Sequence, residues 1–122
     1  MKTDRELLEL AAKAAGYQYI KPIEDYDGSL GLEVGSTNPM RTYTWKPLKN
    51  RAQALELAVQ LKINITHDNY EDFELSVSAK IKTPAGFWDS SIFTEEVLQE
   101  DHRLNATCRV IVHAAAAIGE AL

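Results

Sequence analysis

The chain has 122 residues, 45% hydrophobic and 25% charged, with six glycines and four prolines; that is enough for one domain with its own core and too apolar for long disorder. Lys+Arg 13 against Asp+Glu 18 gives a net charge of -5, which opposes general attraction to a phosphate backbone and disfavours double-stranded DNA as a partner. Cys108 stands alone, which excludes an internal disulfide and a four-thiolate zinc site and fits a reducing compartment, and no run approaches the roughly 18 apolar residues of a membrane span or a signal peptide's apolar core.

Thr3 and Glu6 have the spacing of a capping box and Gly16 that of a left-handed stop, which predicts a helix over 3–15 with Leu7, Leu8, Ala11, Ala14 and Ala15 as its apolar stripe. Residues 17–45 then alternate in short pieces, Tyr17/Tyr19, Leu30/Leu32/Val34 and Tyr43/Trp45, and read as two or three strands. Pro22, Asp27-Gly28 and Asn38-Pro39 supply the turns between them. Asn50 and Gln53 repeat the capping pattern and open a second helix that stops near Lys62, its buried side formed by Leu55, Ala58, Val59 and Leu61 beside Ala52 and Ala54.

Ile63 to Thr66 alternates like a strand. Phe73, Leu75, Val77, Ala79 and Ile81 alternate without a fault against Glu74, Ser76, Ser78, Lys80 and Lys82, the pattern of a strand with one dry and one wet face. Thr83 to Gly86 turns it back toward a brief strand at Phe87-Trp88, while Asp89 to Glu100 follows no clear period. The last helix carries Leu104, Cys108, Ile111, Val112, Ala115, Ile118 and Leu122 down one stripe, core from end to end, with Arg109, His113 and Glu120 opposite. Four alanines, Ala114 to Ala117, let it approach a neighbour closely. No repeat, low-complexity tract or linker stands out.

These elements predict a single α+β domain over residues 1–122, in the order α-β-β-α-β-β-α with room for an extra short strand: a mostly antiparallel sheet packed by three helices. The wet face of the Phe73–Lys82 strand argues for helices mainly on one side. The alternative is a three-layer sandwich with helices on both faces.

Chemistry-bearing residues are few. His67, His102 and His113 lack a second His or Cys at ligand spacing, and no metal or cofactor is expected. Cys108 sits in an apolar stripe, where a buried structural thiol is the simpler reading. Asp89-Ser90-Ser91, Glu95-Glu96 and Glu100-Asp101 have no nucleophile elbow, phosphate loop or paired-carboxylate frame around them, so a non-enzymatic protein is expected. The strongest feature for ligand binding is the segment from Glu33 to Glu56, which holds no acid between its ends and carries Arg41, Tyr43, Trp45, Lys46, Lys49 and Arg51. Ending at a helix N-terminus, it could hold a small anion or stack a base. The competing reading puts Trp45 at the rim of the core and the lysines in solvent.

Three segments together resemble a known family: DRELLELAAKAAG at the start, the Trp-x-Pro-Leu of Trp45, Pro47 and Leu48 leading into ALELAVQLKINI, and ATCRVIVHAAAAIGEAL at the end. They are similar to small phage and prophage proteins of unknown function grouped as the phage ABA-sandwich domain. Ala106, Thr107, Arg109, Ala115, Ile118 and Gly119 fit the terminal motif of that group, while 21–42 and 67–101 are not covered. The resemblance implies a phage origin and the bacterial host cytoplasm, and transfers no catalytic residue. The functional expectation is a phage or prophage accessory protein that binds a host or phage macromolecule by protein-protein interaction, with counter-defence as one form. The alternative is a small anionic ligand or nucleotide binder using Trp45 to Arg51. A homodimer through the wet strand face or an open sheet edge is a further expectation.

Overall fold

The computed structural model describes residues 2–24, 30–35, 42–68, 75–82, 88–97 and 102–122. Helix α1 (Asp4–Ala14) starts where the Thr3 hydroxyl accepts the Glu6 N–H. It stops at Gly16, whose φ of 91° turns the chain so that Gly16 N–H reaches the Lys13 carbonyl and Tyr17 N–H the Ala12 carbonyl, at 3.1 and 3.2 Å. Three antiparallel strands follow, β1 (Tyr19–Glu24), β2 (Leu30–Gly35) and β3 (Tyr43–Trp45), in that spatial order. Leu32 and Val34 on the central strand and Trp45 beside Leu32 face the core.

Helix α2 (Arg51–Leu61) is capped by the Asn50 side chain, which accepts the Gln53 N–H at 3.1 Å. Its end is a second left-handed stop, supplied here by Lys62 at φ 55°, and Ile63 N–H returns to the Ala58 carbonyl at 2.9 Å. A second antiparallel sheet follows: β4 (Asn64–Asp68), β5 (Leu75–Lys82) and β6 (Trp88–Val97), again in chain order. Helix α3 (Arg103–Glu120) closes the chain.

The expected α+β class and element order hold, with a third strand added to each group, so that the antiparallel pairing is divided between two sheets. Strand β6 occupies the stretch that showed no period, because its Asp-Ser-Ser and Thr-Glu-Glu runs hide the alternation. Pro22, read as a turn residue, lies within β1 in register with Leu32, and the turns proposed at 27–28, 38–39 and 83–86, and Phe73 and Glu74, lie outside the described residues.

Helix α3 is the centre of the packing. It makes its most extensive contact with α1, and meets β5, β6 and α2 as well. The alanine run and Gly119 explain the close approach: a Cβ at Gly119 would stand 1.9 Å from the Leu10 carbonyl oxygen. Val110, Ile111, Val112 and Ala114 to Ala116 are all buried, so most of the helix circumference is covered. Its two ends differ from the sequence reading: Leu104 and Leu122 are exposed. Val77, Ala79 and Ile81 form the dry face of β5 as expected, but Ser78 on the opposite face is buried too. It is short and sits on the central strand between Thr66 and Thr94 in register.

The larger correction concerns α2. Its buried residues are Ala54, Leu57 and Ala58, while Leu55 and Val59 are 62% and 70% exposed. The helix carries two apolar stripes that share Ala58, and tertiary packing takes the one through Leu57.

Candidate functional site

The junction that carries the basic and aromatic residues is a packed turn. Trp45 ends β3 at 3% exposure, with the ring of Tyr17 edge-on at 5.6 Å and 65°. Tyr17 in turn meets Tyr43 at 5.9 Å and 78°, and their hydroxyls are hydrogen-bonded. Desolvation first, and the Tyr43 hydroxyl second, push the Tyr17 phenol well above its ordinary range. Trp45 therefore has no free face for a base or sugar; its role is to seal the first sheet against the core.

From Trp45 the chain turns through buried Pro47, with Lys49 N–H and Asn50 N–H both donating to the Lys46 carbonyl at 2.9 and 2.8 Å. Gln53 fixes this turn to the helix. Its amide oxygen accepts the Lys46 N–H at 2.7 Å, and its amide nitrogen donates to the Thr44 carbonyl at 2.9 Å. The Asn50/Gln53 pair thus departs from a reciprocal capping box: Asn50 caps the helix, and Gln53 ties β3 to α2.

The turn distributes the basic residues instead of clustering them. Arg41 lies outside the described residues. Lys46 is half-buried, with its Cβ 3.2 Å from where a Cβ on Gly31 would sit. Lys49 lines one cleft, of about 300 Å³, with Asp4, Leu30, Leu48, Asn105 and Arg109. Arg51 lines another, with Leu55, Ile65, Leu104 and Cys108. Lys49 and Arg51, two residues apart in sequence, therefore serve different surfaces.

Arg109 is the member of the Lys49 cleft that sequence reasoning did not bring to the site. Its guanidinium spans both carboxylate oxygens of Asp4, at 3.0 and 3.3 Å, and this bond holds the Asp4 carboxyl below its ordinary range against the opposing effect of burial. The available signal was an acid in the first turn of one helix and a cation on the polar side of another; nothing local links positions 105 residues apart. Among the described residues the cleft presents Lys49 and the paired Asp4 and Arg109 beside two leucines, a surface suited to a small anion with an apolar body.

The Arg51 cleft has a different character. It encloses about 240 Å³ with an almost wholly apolar lining, and a neighbouring hollow of about 340 Å³ is lined by Leu55, Ala58, Val59, Lys62, Ile63 and Ile65. Leu55 and Ile65 line both, so the two hollows adjoin beside α2 and β4, bordered by an exposed apolar ridge of Leu55 and Val59 and, on α3, by Leu104 at 51% exposure. Cys108 lies at the base of the first hollow as a buried free thiol, and desolvation raises its pKa against the opposing charge of Arg51. A thiol held protonated in apolar surroundings is not set up as a nucleophile.

Among the described residues, no group of three or more His, Cys, Asp or Glu is placed to hold a metal ion. His67 Nδ1 lies 3.2 Å from Arg103 Nη1, tying β4 to the start of α3. No described helix is long and apolar enough to cross a membrane. No protein-family model, no curated protein and no solved structure matches the chain.

Proposed function

We propose that this chain is a non-enzymatic phage or prophage accessory protein, acting in the bacterial host cytoplasm by binding a host or phage protein, with interference in a host defence system among the roles this covers. The observation that carries the binding reading is the α2 ridge. Leu55 and Val59 are large apolar side chains set one helical turn apart, more than half exposed, and they border two adjoining apolar hollows. Such a patch on a small soluble domain marks a contact surface more often than a free one. The net charge of -5 supports a protein partner over a nucleic acid, and the terminal and central segments that resemble the phage group support the origin.

The test is a quantitative pull-down from bacterial lysate, with and without phage infection, using the wild-type chain and the double variant Leu55→Glu/Val59→Glu. A partner retained by the wild type and lost by a variant of unchanged melting temperature is the expected result. Equal recoveries from both proteins would count against the reading.

The Lys49 cleft favours a second reading, a small anionic ligand. Its residue set is then Lys49, Asn105 and Arg109, in place of the Trp45–Arg51 junction as a whole. Phenyl phosphate and benzoate should raise the melting temperature where neutral benzamide does not, and Lys49→Gln should remove the effect. A shift that survives Lys49→Gln excludes this assignment.

A further inference from the structure

Helices α1 and α2 contain the same tetrapeptide at the same place. Leu-Glu-Leu-Ala occupies 8–11 in one and 55–58 in the other, and each helix is 11 residues long behind a side-chain cap at Thr3 or Asn50. This internal match is short, but it pairs position with position at a constant offset: Leu7/Ala54 and Ala11/Ala58 are buried in both helices, whereas two other pairs, Leu8/Leu55 and Ala12/Val59, differ in burial. Leu8 and Ala12 are 0% exposed, on a helix whose most extensive contact is with α3. Their counterparts Leu55 and Val59 are 62% and 70% exposed. On α1 the stripe that includes Leu8 and Ala12 is covered within the chain; on α2 the equivalent stripe has nothing on it among the described residues.

The ends of the α2 stripe are charged. Arg51, Leu55 and Val59 fall within about 80° of one another on the helix, and Lys62 follows the last turn in line with them. Arg51 lines one hollow and Lys62 the other, and among the described residues no acid lines either, in a chain whose net charge is -5. The distance from Arg51 to Lys62 is about 17 Å at 1.5 Å per residue, three helical turns.

We propose that this stripe is the docking site for an acidic amphipathic helix of a partner protein, seated along α2 with its apolar face on Leu55 and Val59 and its acids toward Arg51 and Lys62. The form of the occupant follows from α1: an α2 stripe matched to one that a helix helps to cover takes a helix, as an apolar ridge with adjoining hollows does in helix packing. Its charge follows from the rim, since two exposed cations at the ends of an apolar strip select opposite charge by attraction and reject like charge by repulsion. This inference rests on the protein-binding reading and narrows it to one class of partner.

A displayed library of three- to four-turn helical peptides tests it, with apolar residues fixed at i, i+4 and i+7 and the outward positions varied among Glu, Lys, Gln and Ala. Selection on the full-length wild-type chain should enrich peptides of net negative charge. Leu55→Glu/Val59→Glu should weaken them roughly tenfold or more, while Arg51→Glu/Lys62→Glu, which leaves the apolar strip intact, should reverse the charge of the enriched set. Enrichment without charge bias, or a bias that survives the charge reversal, would overturn the proposal. So would a concentration-dependent dimer in sedimentation that Leu55→Glu abolishes, because a second copy would then own the ridge. If lysate yields a natural partner that docks here through a basic or non-helical segment, the protein-binding reading stands and the acidic helix falls.

Discussion

A methyl group at position 119 has nowhere to go. The Leu10 carbonyl oxygen would lie 1.9 Å from it and the carbonyl carbon 2.8 Å, both backbone atoms that only a shift of α1 can move. Gly119→Ala should therefore destabilise the fold by about 2 kcal/mol, the cost of overpacking exceeding the roughly 1 kcal/mol that alanine offers in a helix; urea unfolding measures it. Asp4 gives a second residue-level expectation. Its carboxyl is held below the ordinary value of 3.8 by the Arg109 guanidinium, so its contribution is complete above that value and disappears as the pH falls through the lowered one. The difference in melting temperature between wild type and Asp4→Asn should be constant near neutral pH and shrink toward zero below about pH 4. A difference that persists in acid would assign the effect to packing instead of charge. Gln53 shows how far a local motif can be read: its spacing from Asn50 announced the helix start, but its amide serves Thr44 and Lys46 instead, a partnership set by where β3 ends.

At the scale of elements, the matched tetrapeptides make a controlled comparison within one molecule. Leu8→Ala should cost about 2–5 kcal/mol, as for a fully buried leucine, whereas Leu55→Ala should stay within about 0.5 kcal/mol. Equal losses in denaturant titrations would mean that the α2 stripe is covered in solution. The helix boundaries were legible because caps and stops are written locally, in Thr3, Gly16 and Asn50. The face α2 buries was not, since Leu55–Val59 and Leu57–Leu61 are equally good stripes and only the position of α3 decides between them. Strand β5 was plain from its faultless alternation, and β6 was concealed because polar and acidic residues fill a strand defined by its pairing to β5.

For the whole molecule, the class and order of elements follow from the chain, but the division into two sheets does not. Each group reads as neighbouring strands, and whether the groups join depends on contacts that no local pattern encodes. The candidate surfaces divide the same way. Lys49 and Arg51 were visible as cations beside a helix start, yet their separation onto two faces, and the arrival of Arg109 from α3 beside Lys49, are products of assembly. Cys108 ties these scales together. It is the one cysteine of the chain and lies buried in the hollow that Leu55 and Leu104 also line, so a thiol reagent can modify the native protein at a single place, at a rate that depends on how far the α2–α3 seam beside the hollow opens. The rate of that modification is a clock for the opening of this seam, readable without any added label, and an occupant of the ridge would slow it in proportion to the time spent bound.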